Sequence, residues 1–295
     1  MERRTFLQTS TIAASGLLAG APAQAAKNPN IKWGIYTRPW WEEDWQDQLD
    51  AISRAGFTNV GLMRGGPDRR EPVRIDRAES DTEQLRKWLS DRDMQVVSAY
   101  FAPDLNKTAK EAIGETEDKV RGYASLGMDF LLIGGTGKPD QVPVFYEAMQ
   151  HLADLTEELG MECHVKPHGG ITPDGASTAA VVKKINRKNV KLSYDPGNMI
   201  YYEGLDPVAE LKPCLDLTAS MCVKDCIRHS KEDRNVNVTP GDGMVDFQGV
   251  FDLLLGAGFS GHCVIETLGG TTLRENIREA HRAMKFLQQF GSWER

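Results

Sequence analysis

The chain has 295 residues, a formal net charge of −7 at pH 7 and five cysteines. The excess of acidic residues argues against a nucleic-acid or anionic-membrane partner. The cysteines show no spacing typical of structural zinc, and a chain of this length can bury the core of one large domain if that domain is a barrel.

The first 25 residues have the layout of an export signal. The pair Arg3-Arg4 precedes a mildly apolar run, and Ala23-Gln24-Ala25 provides a small-x-small cleavage site. The arginine pair is typical of a twin-arginine leader. We therefore expect residues 1–25 to be a signal peptide and residues 26–295 to form a periplasmic protein. The apolar run is too short to span a membrane, and no later segment reaches that length.

From Ile31 onward, short apolar runs alternate with amphipathic helical stretches. The helical stretches carry apolar residues at spacings of three and four, as in Leu152, Leu155 and Leu159. The eight apolar runs cover residues 32–36, 59–63, 95–100, 129–133, 161–166, 190–193, 217–223 and 261–265.

Eight alternating strand and helix units predict an α/β fold, a single-domain (β/α)8 TIM barrel. An open doubly wound sheet is disfavoured because no glycine-rich phosphate-binding fingerprint follows the first strand.

Functional groups of such barrels lie at the C-terminal ends of the strands. Strand five is unusual there, because His164, Lys166 and His168 alternate and so share one face. We interpret His164, one layer deeper, as a hydrogen-bonded core histidine. Aromatic residues at other strand ends suit stacking on a sugar ring, whereas carboxylates and lysines suit proton transfer beside a polarised carbonyl. The candidate site residues are Trp40, Trp41, Lys166, His168, Asp195, Asn198, Cys222, Lys224, Arg228 and Glu266.

A purely structural role for part of this set is also open. Asp195 and Glu266 are poor core residues unless they are paired. Their simplest partners are the lysines at positions 166 and 224.

Four motifs follow one another on the predicted strands and loops. They are Ser193–Asn198, Val223–Asp225, Gly241–Phe247 and Gly258–Glu266. In this order and spacing they resemble the sugar phosphate isomerase/epimerase family, the xylose-isomerase-like TIM barrels, over about residues 32–288. The resemblance implies a divalent metal such as Mn, Mg or Co, held by Glu, Asp, His and Glu on strands five to eight. It also implies that the two glutamates move a proton at the carbon next to a carbonyl.

This sequence keeps two of the four ligands that the resemblance implies. Asp195 and Glu266 match the ligands of strands six and eight, but Lys166-Pro167-His168 stands where the strand-five Glu is expected. Cys222 stands where the strand-seven His is expected. Arg228 matches a substrate-binding arginine of the family, and Asn198 occupies the place of a sugar-contacting histidine.

Three accounts of the altered site are open. In the first, a metal is held by Asp195, Glu266, His168 and Cys222, a set that suits Zn or Co. In the second, the Lys166 ammonium group takes the place of the metal between two carboxylates and stays charged. In the third, the barrel has lost catalysis and only binds a sugar.

We predict an isomerase- or epimerase-like enzyme that moves a proton next to a carbonyl of an unphosphorylated keto- or aldo-sugar. A keto-sugar lyase or hydratase and a barrel that only binds carbohydrate are the alternatives. The predicted catalytic residues are Glu266, Lys166 and His168, and the predicted substrate-binding residues are Arg228, Asn198, Lys224, Trp40 and Trp41. The expected partner is a small carbohydrate, and the substrate and the question of a homo-oligomer stay open.

Overall fold

The computed structural model describes residues 31–63 and 79–292, except for the side chains of residues 79–81. The predicted signal peptide, residues 1–25, lies outside the described residues. Within the two described segments, no helix is both long and apolar enough to cross a membrane.

Eight parallel strands of the described segments close into a barrel, in which the first strand pairs with both the second and the last. The barrel strands are β1 (Ile31–Tyr36), β2 (Asn59–Leu62), β3 (Gln95–Phe101), β4 (Phe130–Ile133), β5 (Glu162–Val165), β6 (Val190–Tyr194), β7 (Thr218–Val223) and β10 (Gly261–Ile265). The short strands β8 (Ile227–Arg228) and β9 (Arg234–Asn235) form an antiparallel ribbon between β7 and β10. Each predicted apolar run overlaps one barrel strand, so the predicted (β/α)8 barrel is confirmed.

Helices connect the strands. They are α1 (Trp45–Arg54), α2 (Glu79–Ser90), α3 (Ala109–Gly114), α4 (Glu117–Ser125), α5 (Val142–Glu158), α6 (Gly175–Ile185), α7 (Pro196–Asn198), α8 (Pro207–Leu211), α9 (Phe247–Gly256) and α10 (Leu273–Leu287). The turn Arg38–Trp40 after β1 is a 3₁₀ helix, and Met199–Glu203 is a π-helix.

Local signals in the sequence set the ends of the longer helices. Gly160 follows α5 with φ 73°, a left-handed conformation that glycine adopts without steric cost and that commonly ends a helix. The Thr272 side chain accepts a hydrogen bond from the backbone N–H of Glu275 at the start of α10. The buried face of α10 then follows a helical period, with Ile277, Ala280 and Leu287 packed inward.

The interior of the barrel is filled by side chains, so the site lies on top of a packed core. Tyr36, Phe130 and Val264 belong to the apolar cluster inside the barrel. His164 lies among them: its Nδ1 atom is 2.8 Å from Ser220 Oγ, and its ring stacks on Phe130 at 4.1 Å between centroids. This hydrogen-bonded and stacked histidine matches the predicted core role.

Candidate active site

A buried ion cluster occupies the C-terminal end of the barrel. Lys166 Nζ, directly after β5, lies 2.6 Å from Glu266 Oε2 and 3.4 Å from Asp195 Oδ2. Lys224 Nζ, directly after β7, lies 2.8 Å from Glu266 Oε1 and 3.1 Å from Asp195 Oδ2. The four residues are at most 2% exposed, so two ammonium groups and two carboxylates share one buried site.

Arg38, on the turn after β1, pairs with Glu266 Oε1 as a third cation. The cluster therefore holds three cations and two carboxylates, an excess of one positive charge. Lys224 has three oxygen partners, because Asn198 Oδ1 accepts a hydrogen bond from it at 3.1 Å in addition to its contacts with the two carboxylates. Lys166 is different: it lines the open pocket, and beyond its short bond to Glu266 it has N–H donor capacity for a bound oxygen atom.

The charge states of the cluster follow from these contacts. Burial alone favours neutral Lys166, but the attraction of Glu266 and Asp195 prevails and raises its pKa. Burial likewise favours a neutral Glu266, yet the nearby cations, Lys166 first among them, hold its pKa well below the usual range. Lys166 is therefore an ammonium group, and Glu266 a carboxylate, across the physiological pH range.

The backbone directly after β6 leaves room for the side chain of Lys224. Asp195 caps the short helix α7 by accepting a hydrogen bond from the backbone N–H of Asn198 at 2.9 Å. Lys224 packs against Gly197, where a Cβ atom would lie 2.7 Å from Lys224 Cγ. A side chain at position 197 would therefore displace Lys224 from the two carboxylates.

Hydrogen bonds join two of the sequence motifs, Val223–Asp225 and Gly241–Phe247, and hold a loop in place. The Asp225 carboxylate accepts hydrogen bonds from the backbone N–H groups of Gly241 at 2.9 Å, Gly243 at 2.8 Å and Val245 at 3.1 Å. A carboxylate that receives several backbone donors fixes the loop that provides them. Asp225 thus anchors the loop after β9, next to the lysine that joins the ion cluster.

A pocket of about 290 Å³ opens over the ion cluster. Its walls combine aromatic and charged side chains at the mouth of the barrel, which suits a polyhydroxylated ring. The lining residues are Arg38, Trp41, Met63, Tyr100, Ala102, Lys166, His168 and Glu266.

His168 faces this pocket and stays outside the ion cluster. The residue is open to solvent on part of its surface, and Nε2 lies 3.3 Å from the hydroxyl of Tyr202. Partial desolvation in the pocket and the ammonium groups of Lys166 and Lys224 lower the pKa of His168 to about 4. The ring is therefore neutral at pH 7 and can accept a proton.

Three residues of the barrel mouth could offer donor atoms to a divalent metal. Asp195, Cys222 and Glu266 each offer a donor atom, and these atoms lie within 4.8 Å of one another. However, both carboxylates already bond ammonium groups. Burial raises the pKa of the Cys222 thiol to about 12, so it is not a thiolate at neutral pH. His168, the fourth tentative ligand, does not belong to this group, and the residues as arranged do not fit a divalent cation.

The remaining predicted substrate-binding residues fall in different places. Trp41 is 37% exposed and lines the pocket, whereas Trp40 is 2% exposed and donates its indole N–H to Leu273 O at 3.4 Å. Trp40 therefore packs in the wall, and Trp41 is the accessible aromatic surface. Asn198 is buried and is held by Lys224 and by Pro167 O.

Arg228 lies apart from the described pocket lining. Its guanidinium group donates hydrogen bonds to the backbone oxygens of Ile200 at 3.2 Å and Tyr201 at 2.5 Å, in the π-helix. These contacts make it a support for the segment that carries Tyr202, which faces His168. Neither the Arg38 contact with Glu266 nor the role of Tyr202 was predicted. The only sequence signal for Arg38 was its place at the end of a barrel strand.

Comparisons with known proteins agree with this fold. A family model described as the xylose isomerase-like TIM barrel matches residues 49–290. Inosose dehydratase of Geobacillus thermodenitrificans (strain NG80-2) is 25% identical over 308 residues, covering 89% of this chain and 98% of that protein. The crystal structure of D-psicose 3-epimerase in the presence of D-fructose aligns with a TM-score of 0.69 at 16% identity, covering 87% of this chain and 98% of that one.

A second solved structure, the IOLI protein with a bound zinc atom, aligns with a TM-score of 0.71 at 16% identity, covering 89% of this chain and all of that one, 100%. At these identities the solved structures show the shared fold. The named homologues on this scaffold are sugar epimerases and inosose dehydratases.

Proposed function

This chain belongs to the xylose isomerase-like TIM barrel family, and from that premise we propose that it is an enzyme that transfers a proton next to a carbonyl of a keto- or aldo-sugar. The similar proteins include an inosose dehydratase and a D-psicose 3-epimerase. Epimerisation beside a carbonyl, and loss of water across the α and β carbons, both begin with removal of the α proton. The observation that carries the proposal is the buried Lys166 ammonium group in the pocket wall.

Lys166 would stabilise the negative charge that develops on the carbonyl oxygen. Its N–H donor capacity lies at the pocket, and the cluster beneath it has an excess positive charge. A fixed cation in a site that excludes water stabilises an enolate more than it would in solution. Because Glu266 and Asp195 keep Lys166 charged, it acts as an electrostatic group and not as a Schiff-base nucleophile. In this proposal it supplies the charge for which the family pattern implies a metal.

His168 is the proposed proton acceptor. Its imidazole faces the pocket and is neutral at pH 7. Glu266 is a weaker choice, because Arg38, Lys166 and Lys224 occupy its two oxygens. We assign Glu266 the role of holding Lys166 in its charged state. A base with a low pKa removes the α proton only if the resulting enolate is strongly stabilised. The excess positive charge of the cluster provides that stabilisation.

Elimination suits this pocket better than epimerisation. Epimerisation by proton transfer needs proton-carrying groups on both faces of the reacting carbon. Of the ionisable side chains that line the described pocket, Arg38, Lys166 and Glu266 are held in the cluster, which leaves His168 and Tyr100. A base and a phenol can remove a proton and protonate a leaving oxygen. The identity of 25% with an inosose dehydratase supports the same outcome.

Hydrogen exchange in D2O tests the proposal directly. The protein is incubated with an inosose, D-psicose, D-fructose and a panel of aldoses, and loss of the α-proton signal is followed by NMR. We expect enzyme-dependent exchange at the α carbon of at least one ketone, with an absorbing conjugated product if water is lost. Binding of these sugars without exchange above the background of the Lys166→Met variant would instead identify a barrel that only binds carbohydrate.

The titration of His168 provides a test that needs no substrate. The imidazole proton signals should titrate with a midpoint near pH 4, because partial burial and the Lys166 ammonium group oppose protonation. Removing that ammonium group in Lys166→Met should move the midpoint upward, toward the ordinary value of about 6.5. The His168→Gln spectrum assigns the signal, and a midpoint at or above 6.5 in the unmodified protein would contradict the proposed electrostatics.

A further inference from the structure

A second cleft adjoins the catalytic pocket. It has a volume of about 260 Å³ and lies between the turn after β1, the loop after β10 and the start of α10. Arg38, Trp41 and Glu266 line both spaces. A ligand in the pocket can therefore extend into the cleft without leaving the protein surface.

Two buried polar side chains that line this cleft lack a hydrogen-bond partner for one atom. They are Thr267, 1% exposed, at its hydroxyl Oγ1, and Asn276, 5% exposed, at its amide Oδ1. The amide is correctly oriented, since its Nδ2 donates to Pro39 O at 2.7 Å. Buried polar atoms are nearly always partnered in folded proteins. The Thr267 hydroxyl and the Asn276 amide oxygen are thus the groups at which we expect a ligand of this cleft to bond.

The other walls of the cleft indicate the chemistry of that ligand. The ring of Trp41 is accessible, and sugar rings stack on such surfaces. Glu43 adds a negative charge to the lining, whereas the Arg38 and Glu266 charges offset each other. An anionic or phosphorylated group would be repelled, and an uncharged hydroxylated ring would not.

We propose that this cleft is a subsite for a second, uncharged sugar ring. The substrate of the neighbouring pocket is then a glycoside or disaccharide and not a free monosaccharide. The reacting ring lies over Lys166 and His168, and the second ring lies against Trp41 within reach of Thr267 and Asn276. This inference rests on the proposed function, for it extends the substrate of the same site.

Calorimetric titration with glucose, cellobiose, trehalose, lactose and sucrose tests the subsite independently of turnover. At least one disaccharide should bind about tenfold or more tightly than glucose. Thr267→Val should weaken that disaccharide about fivefold and change glucose binding less than twofold, because Thr267 lines the cleft and not the catalytic pocket. Thr267→Ser, which keeps the hydroxyl, is the matched control and should retain the affinity.

Thermal unfolding separates loss of a ligand contact from loss of the fold. Thr267→Val removes a buried hydroxyl that has no partner, so its Tm should be unchanged or higher. Equal binding of glucose and all four disaccharides, or an equal effect of Thr267→Val on both classes, overturns the subsite. The exchange assay on free ketones tests the proposed function by itself, so exchange there together with equal binding here rejects the subsite alone.

Discussion

Replacing Lys166 by methionine is expected to lower the rate of α-proton exchange about 10²–10³-fold, the usual cost of removing a group that stabilises an oxyanion. The loss should appear in kcat, because the ammonium group interacts most strongly with charge that develops in the transition state. The measurement is the single-turnover exchange rate in D2O on the ketone that the unmodified protein turns over.

The fold should survive this substitution. After Lys166→Met, the cations Lys224 and Arg38 still face the carboxylates of Asp195 and Glu266, so the remaining charges balance. The destabilisation should therefore stay below the roughly 3–5 kcal/mol that is typical when a buried charge is left unpaired. Lys183→Met, on the exposed face of α6, is the matched control. A Lys166→Met protein that keeps more than a tenth of the exchange rate would contradict the central role of Lys166.

Much of the architecture could be predicted because its signals are local. Each apolar run became a barrel strand, and Gly160 and Gly258, which follow α5 and α9, adopt φ values of 73° and 76°. The gathering of Lys166 and Glu266 followed from one general rule, that strand ends of a closed barrel converge. Neither inference needed the conformation of a single side chain.

What the sequence did not predict depends on contacts between distant segments. Arg38 reaches Glu266 because β1 and β10 are neighbours in the closed barrel, although 228 positions separate them. Trp40 and Trp41 are adjacent and chemically alike, and only the geometry of the 3₁₀ turn places one inside and the other at the surface. The hydrogen bond from Lys224 to Asn198 likewise depends on the side-chain conformation of Asn198.

The ion cluster also predicts how the protein responds to metals. Arg38, Lys166 and Lys224 against Asp195 and Glu266 give the cluster a net charge of +1, which opposes binding of a divalent cation. We expect the purified protein to contain less than stoichiometric Mn, Mg, Co and Zn by elemental analysis. Its exchange activity should change less than twofold after dialysis against EDTA.

Reversing the charge should create a metal site. A Lys166→Glu/Lys224→Met double variant holds one cation and three carboxylates, a net charge of −2 that a divalent cation neutralises. Adding Mn²⁺ or Zn²⁺ should raise the Tm of this variant, with the logarithm of the ion concentration above Kd, as expected when an ion binds only the folded state. The unmodified protein should show no such shift.

The surface variant Lys183→Glu changes the charge by −2 away from the cluster, against −3 in the double variant, at an exposed position of α6, and should gain no metal affinity. This control distinguishes a specific metal site in the cluster from general attraction of cations to an acidic protein. If the unmodified protein instead retains one equivalent of metal, and loses exchange activity when that metal is removed, the two lysines do not replace the ion. The carboxylates of Asp195 and Glu266 would then have to leave their ammonium partners to bind it, a rearrangement that a metal-bound crystal structure would show.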